Sequence, residues 1–213
     1  VVITHGNGPQ VGDLVQRDEL NASVAPPYPL DWAVAETQAT IGHVIANVLG
    51  AELRRRGLAD EVAAVVSRVL VAADDPAFAE PTKPIGSYLD DPDEARRRVE
   101  ELGQRWSHVR GKGWRRVVPS PEPRESLDLT AIRTLVDAGA IVVANGGGGI
   151  PTVRGEDGAL AGVGAGVYSR RSFPDHMSHR PGPPGLALPL ALIAGLLNFI
   201  PYVGPILGAV PAP

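Results

Sequence analysis

The 213-residue sequence predicts an α/β fold, an open sheet with mainly parallel strands and helices on both faces. Short β-branched runs end in glycine turns twice, at "VVIT" before Gly6–Gly8 and at "AIVVAN" before Gly146–Gly149. Helical patterns separate the two runs. The stretch "EVAAVVSRVLVA" is apolar without alternation, which is typical of a strand buried on both faces of a parallel sheet.

The first half of the chain contains two predicted helices. Pro9 suits the first position of a helix that ends near Leu20, because its missing N–H would have no partner there. Asp31 is the expected N-cap of the second helix. Its apolar residues recur at helical spacing, so one face is expected to be buried. These residues are Ile41, Val44, Ile45, Val48 and Leu49.

Further along, the pattern predicts a long loop and two more helices. Residues 74–92 are rich in proline, aspartate and glycine, so an ordered loop is expected there. An exposed helix is expected from Asp93 to Leu102. A basic and then proline-interrupted stretch follows at 111–123. The last helix should span about Ser126 to Ala138, with Gly139 closing it.

Composition excludes several classes of function. The net charge of −4 and the pI of about 5.7 leave no broad cationic surface, so nucleic acid is not an expected partner. The absence of cysteine excludes disulfides, thiolate zinc sites and a cysteine nucleophile. No secretory signal is visible, which favours a cytoplasmic protein. His5 is expected to be a hydrogen-bonded structural imidazole, and no residue spacing indicates a metal site.

The two glycine turns indicate a binding site for an anion. Loops at the carboxyl ends of parallel strands form the ligand crevice of an open α/β sheet, and glycine lets backbone N–H groups approach closely. Two such loops could hold one phosphoryl group. Tight turns alone are the alternative explanation. Four consecutive glycines favour a functional role, since each carries an entropic cost that a plain turn does not require.

Several motifs, in order and spacing, resemble carbamate kinases of the amino-acid-kinase superfamily. They are "VITHGNGPQVG", "YPLD…AETQATIGH", "DDPAFAEPTKPIG", "GWRRVVPSPEP" and "GGGGIPTVRGEDGALAGV". The resemblance covers residues 1–164 and includes a protruding subdomain at about 72–123. It implies a three-layer amino-acid-kinase-like fold and phosphoryl transfer between ATP and carbamate, giving ADP and carbamoyl phosphate. In the family the reaction usually runs toward ATP synthesis in arginine breakdown. ATP/ADP with Mg²⁺ and a homodimer are also implied.

The resemblance also implies roles for particular residues. Gly6, Asn7 and Gly8 match the loop that cradles the transferred group, and Gly146, Gly147, Gly148 and Gly149 match the facing loop on the carbamate side. Lys83 matches the lysine of the protruding subdomain that reaches over the active site. Without the resemblance, Lys83 would be interpreted as a solvated loop lysine. Arg115 and Arg116 are interpreted as surface ion-pair residues rather than catalytic ones.

The sequence departs from the family at both ends. A first strand with a "GGNAL"-type loop is not found before Val1, and "GAGVYSRRSF" stands where the family has "EAVIDKDL". The nucleotide-binding lobe is therefore expected to be missing, with impaired activity. The alternatives are a membrane-transporter fragment or a non-catalytic chimera.

The C-terminal part differs in composition from the rest. Residues 165–185 are expected to form a linker, and residues 181–213 carry no charge. The apolar tail at 186–213 includes a possible membrane segment at 186–210, preceded by basic residues. Its "LLNFIPYVGPILGAVPA" resembles a motif of the AI-2E (PerM-like) transporter family. A hydrophobic tail from a shifted reading frame or a joined assembly is the alternative.

Overall fold

The computed structural model describes residues 1–21, 23–26, 28–58 and 61–167. The α-helices in these ranges are α1 (Gly8–Asn21), α2 (Leu30–Arg55), α3 (Pro92–Leu102) and α4 (Leu129–Asp137). The strands are β1 (Val2–Ile3), β2 (Val62–Ala64), β3 (Arg68–Val71), β4 (Lys83–Leu89), β5 (Arg105–Val109), β6 (Gly113–Val118), β7 (Pro123–Ser126), β8 (Ile141–Val143), β9 (Ile150–Arg154) and β10 (Leu160–Gly162). Short 3-10 helices occupy Pro76–Phe78 and Gly146–Gly148.

A parallel sheet between two helical layers confirms the predicted three-layer α/β fold. Its strand order is β1-β8-β2, and β8 pairs in parallel with both neighbours. Side chains of successive β8 residues point to opposite faces, as strand geometry requires. Ile141 and Val143 pack against α2, whereas Val142 packs with Ile132 of α4. The central strand is therefore buried on both faces.

The Val-rich stretch at 61–72 forms two strands, so the prediction of a single strand is wrong. β2 belongs to the parallel sheet, while β3 lies in a second sheet of order β10-β9-β3-β7. Residues 65–67 belong to neither strand and separate β2 from β3. There the buried amide of Gln38 accepts a hydrogen bond from the Ser67 N–H at 2.8 Å and donates one to the Ser67 carbonyl at 3.1 Å. These bonds satisfy the backbone groups that leave the sheet ladder.

A third sheet contradicts the loop expected at 74–92. It is antiparallel, with order β4-β6-β5, and β4 occupies 83–89. Pro84 is tolerated because β4 is an edge strand. Gly86 adopts φ +65° at an irregularity in the pairing between Ile85 and Tyr88. The sheet lies within the range predicted for a protruding subdomain, whose boundaries stay a prediction.

The helix ends agree with the sequence in part. Gly139 adopts φ +97° after α4, which confirms its closing role. Asp91 caps α3 by accepting the N–H of Asp93. Asp31 is not an N-cap: Pro29 holds that position without a side-chain bond, and Asp31 lies in the first turn of α2. A carboxylate there is still favoured by the helix dipole.

Packing continues beyond the domain boundary predicted at residue 164. Ala165 and Val167 are buried, and Val167 packs with Val69 and Val71 of β3. The rest of the predicted linker and the tail at 186–213, with its possible membrane segment, lie outside the described residues. In the part of the chain that is described, no helix combines the length and apolar character needed to cross a membrane.

Candidate functional site

Two glycine loops meet at the carboxyl end of the parallel sheet. β1 leads into Gly6–Gly8 and β8 leads into Gly146–Gly149, and these strands are direct neighbours with Ile3 opposite Val143. The N–H of Gly147 donates to the carbonyl of His5 at 2.7 Å. The structure therefore brings together the two loops that the sequence singled out.

Close packing between the loops requires glycine at two positions. A β-carbon on Gly146 would lie 2.3 Å from the ring of His5, and one on Gly147 would lie 2.0 Å from Oδ1 of Asn7. Gly147 also has φ +64°, in the left-handed region. The protein's own packing thus accounts for glycine at 146 and 147.

Gly8 is different, because neither packing nor backbone conformation requires glycine there. It is the first residue of α1, it is exposed, and a β-carbon built on it would have no atom within 4 Å beyond its chain neighbours. Alanine is the better helix former by up to about 1 kcal/mol. Glycine at this position leaves the backbone open to close approach by a group from outside the chain.

Asn7 is held by α2. The residue is buried, and its Nδ2 donates to Oγ1 of Thr37 at 2.9 Å. That hydroxyl is in turn within hydrogen-bond distance of the Ala33 and Val34 carbonyls. Asn7 therefore fixes the first glycine loop to the second helix, and its Oδ1 faces Gly147 of the other loop.

Polar residues that the sequence analysis did not single out hold the second loop in place. Asn145 has φ +51°, a left-handed conformation that asparagine tolerates better than most residues. Its N–H donates to Oγ of Ser67 at 2.9 Å, and its carbonyl accepts from Oγ1 of Thr4 at 3.2 Å. Thr4 and Ser67 lie far from residue 145 in sequence, so no local pattern could identify them.

His5 is a buried, hydrogen-bonded imidazole, as expected. Nδ1 lies 2.9 Å from the carbonyl of Gly6 and can only donate to it. Burial lowers the pKa of His5, and the bond to Gly6 opposes that effect only in part. The neutral ring therefore supports the first loop near pH 7 without adding charge to the site.

Lys83 is half-buried at the start of β4, which contradicts its alternative interpretation as a solvated loop lysine. Its Nζ donates to the carbonyl of Val167 at 2.8 Å, and a β-carbon on Gly166 would lie 3.0 Å from the same nitrogen. Burial lowers the pKa of Lys83 to about 8. These contacts place the ammonium beside residues 166–167, in the segment that follows β10.

Two features of the described residues could serve an anion: the backbone of the glycine loops, and the desolvated ammonium of Lys83 beside residues 166–167. Within residues 1–21, 23–26, 28–58 and 61–167, no group of three His, Asp or Glu residues could hold a metal ion. Backbone N–H groups and a lysine favour binding of an oxyanion. This arrangement can hold and orient an anion.

Comparisons with known proteins give one consistent family. No protein-family model matches the chain. The carbamate kinase of Pyrococcus furiosus is 44% identical over 165 residues, covering 76% of this chain and 52% of that protein. The carbamate kinase of Thermococcus kodakarensis is 45% identical over 165 residues, with the same coverage. The chain spans about half the length of the curated relatives it matches.

Solved structures share the fold. A structure from Aeropyrum pernix K1 matches with a TM-score of 0.75 and 42% identity, over 80% of this chain and 55% of that one. Carbamate kinase from Giardia lamblia bound to AMP-PNP matches with a TM-score of 0.72 and 32% identity, over 81% of this chain and 54% of that one. The three-layer α/β fold described above is therefore the fold of carbamate kinases.

Proposed function

We propose that this chain is part of a carbamate kinase and that its two glycine loops hold the phosphoryl group that passes between carbamate and ATP. The observation that carries the proposal is Gly8, an exposed helix-initiating glycine that the fold itself does not require. It lies beside a second glycine loop whose strand pairs with its own. The identity of 44–45% to carbamate kinases supports this reaction.

In this reaction the protein has to position the reactants and stabilise charge. The bond between phosphorus and the carbamate oxygen breaks, and phosphorus bonds to the terminal phosphate oxygen of ADP. Phosphoryl transfer of this kind depends mainly on positioning and on stabilising charge on the phosphoryl oxygens. Backbone N–H groups, mainly those of the first loop, would orient these oxygens, because the N–H groups of Gly147, Gly148 and Gly149 already donate within the protein. Lys83, whose pKa is about 8, would supply a cation that an anionic ligand keeps protonated.

Nucleotide and magnesium are proposed from the family. The Giardia lamblia relative binds AMP-PNP, which supports ATP/ADP as the second substrate. The described residues offer no set of metal ligands, so we assign Mg²⁺ no ligand in this chain and derive no step through it. A homodimer, a role in arginine catabolism and a cytoplasmic location follow from the resemblance alone.

A pair of glycine substitutions tests the cradle in the full chain. Gly147→Ala should weaken carbamoyl phosphate binding roughly tenfold or more, because its β-carbon would displace the side chain of Asn7 and move the two loops apart, with the fold checked by circular dichroism. Gly158→Ala is the matched control: Gly158 also has positive φ, at +82°, but open space around its β-carbon position. Isothermal titration calorimetry measures both variants. Equal affinities in the two would contradict a cradle at the second loop.

A further inference from the structure

A cavity lies apart from the glycine loops, between α1 and the antiparallel sheet β4-β6-β5. Its volume is about 320 Å³, within the range of small-molecule sites. The α1 residues that line it begin at Asp13 and end at Leu20. At about 1.5 Å per helical residue, the middle of this stretch lies about 13 Å along α1 from Gly8.

One row of side chains crosses the sheet beneath this cavity. Arg116 of β6 pairs with Ile85 on one side and with Trp106 on the other. Paired residues of neighbouring strands project to the same face. Ile85 packs in the core with Val11 and Val15 of α1, so this face points toward α1. All three residues of the row line the cavity.

Arg116 presents hydrogen-bond donors that the described part of the chain does not satisfy. Its side chain is only 24% exposed. No described atom accepts a hydrogen bond from its guanidinium, and the nearest carboxylate oxygen, on Glu19, is 3.8 Å away. A guanidinium carries five N–H donors in a fixed plane, and none of the Arg116 nitrogens is both fully buried and without a partner, so the unpaired donors are open to solvent at the cavity.

The neighbouring carboxylates are mostly engaged by other arginines. Glu19 accepts a short hydrogen bond from Arg98, which also binds Glu94. Asp13 pairs with Arg17. Burial lowers the pKa of Arg116, whereas the charges of Glu19 and Asp18 raise it and that of Arg98 lowers it. Arg116 thus has no carboxylate in close contact, and its N–H groups remain available at the cavity wall.

We propose that this cavity binds a small organic acid, with its carboxylate on the guanidinium of Arg116 and its apolar part against Ile85 and Trp106. A planar guanidinium matches a carboxylate in two parallel N–H···O bonds. The apolar and aromatic neighbours in the same row would cover the rest of such a ligand. The inference is independent of the function proposed for the glycine loops.

The test uses the full chain and benzoate as the probe. Binding is followed by the indole N–H resonance of Trp106, one of three tryptophans, which Trp106→Phe assigns. Benzoate should shift this resonance saturably, and Arg116→Gln should weaken binding roughly tenfold or more. Arg105→Gln is the matched control, because Arg105 is exposed, does not line the cavity and, as the residue before Trp106 in β5, projects to the opposite face. It should leave the affinity within about twofold.

Further variants keep the test decisive. If Arg116→Gln unfolds, Arg116→Lys retains the charge without the planar fork and should weaken binding by a smaller factor. A response to inorganic phosphate without one to benzoate would overturn the organic-acid assignment. The proposal also fails if benzoate gives no saturable shift, if Arg105→Gln and Arg116→Gln behave alike, or if Gly8→Ala, a change in the glycine loops that the packing tolerates, abolishes the shift.

Discussion

At the scale of single residues, the charge of Lys83 offers a test of whether this lysine lies beside the bound anion. Its ammonium is half-buried and donates to the carbonyl of Val167, a neutral acceptor. Desolvation disfavours the charged form, which lowers the pKa of Lys83 to about 8. A phosphoryl group beside it would reverse that effect, because an anion favours the protonated lysine.

This reversal is measurable by titration. Lys83 and Lys112 are the two lysines of the chain, so reductive ¹³C-methylation gives two lysine signals to follow by NMR. We expect the Lys83 signal to titrate near pH 8 and its midpoint to move upward when carbamoyl phosphate saturates the protein. Lys112, on an exposed turn, is the reference. An unchanged Lys83 midpoint at saturation would show that this lysine does not face the phosphoryl group.

The glycines show what sequence could and could not predict about the site. Two glycine loops at strand ends were predicted from sequence, and the parallel pairing of β1 with β8 brings them together. The sequence alone could not distinguish a glycine that close packing requires from a glycine that has open space around its β-carbon position. Gly147 belongs to the first kind and Gly8 to the second. The distinction depends on atoms contributed by Asn7, far away in sequence from Gly147.

At the scale of elements, long-range hydrogen bonds explain where prediction failed. The run 61–72 is rich in valine on both sides of Ser67, and its interruption there is set by Gln38 from α2. Strand β4 was missed because Pro84 and Gly86 are typical of loops, yet its edge position tolerates both. The helices were predicted more closely, since their apolar spacing is local information.

Strand β8 offers a direct test of the layered core. Val142 shares a cluster with Ile132 of α4, while Leu49 of α2 packs on the other face with Ile141 and Val143. A double-mutant cycle of Val142→Ala with Ile132→Ala should give a coupling of about 0.5–3 kcal/mol in the free energy of unfolding. Val142→Ala with Leu49→Ala should be additive within about 0.5 kcal/mol. Equal couplings by denaturant unfolding would contradict the separation of the two faces.

At the scale of the whole molecule, the described residues form three sheets, which are arranged around α1 and α2. The parallel sheet supplies both glycine loops, and the second sheet carries β3 and the segment at 163–167 that packs on it. The antiparallel sheet begins at Lys83, whose ammonium reaches Val167. This chain, which spans about half the length of the carbamate kinases it matches, thus contains the candidate phosphoryl-binding loops and a lysine cation. We therefore expect anion binding to be a property of this chain.

Gly8→Ala tests that expectation most directly, measured as carbamoyl phosphate affinity and thermal stability of the full chain. A β-carbon there meets no protein atom beyond its chain neighbours, and alanine favours the helix, so the melting temperature should not fall. Affinity should fall roughly ten- to a hundredfold, because the backbone can no longer approach the phosphoryl oxygens. Unchanged affinity in a fully folded Gly8→Ala protein would contradict the account of the glycine cradle.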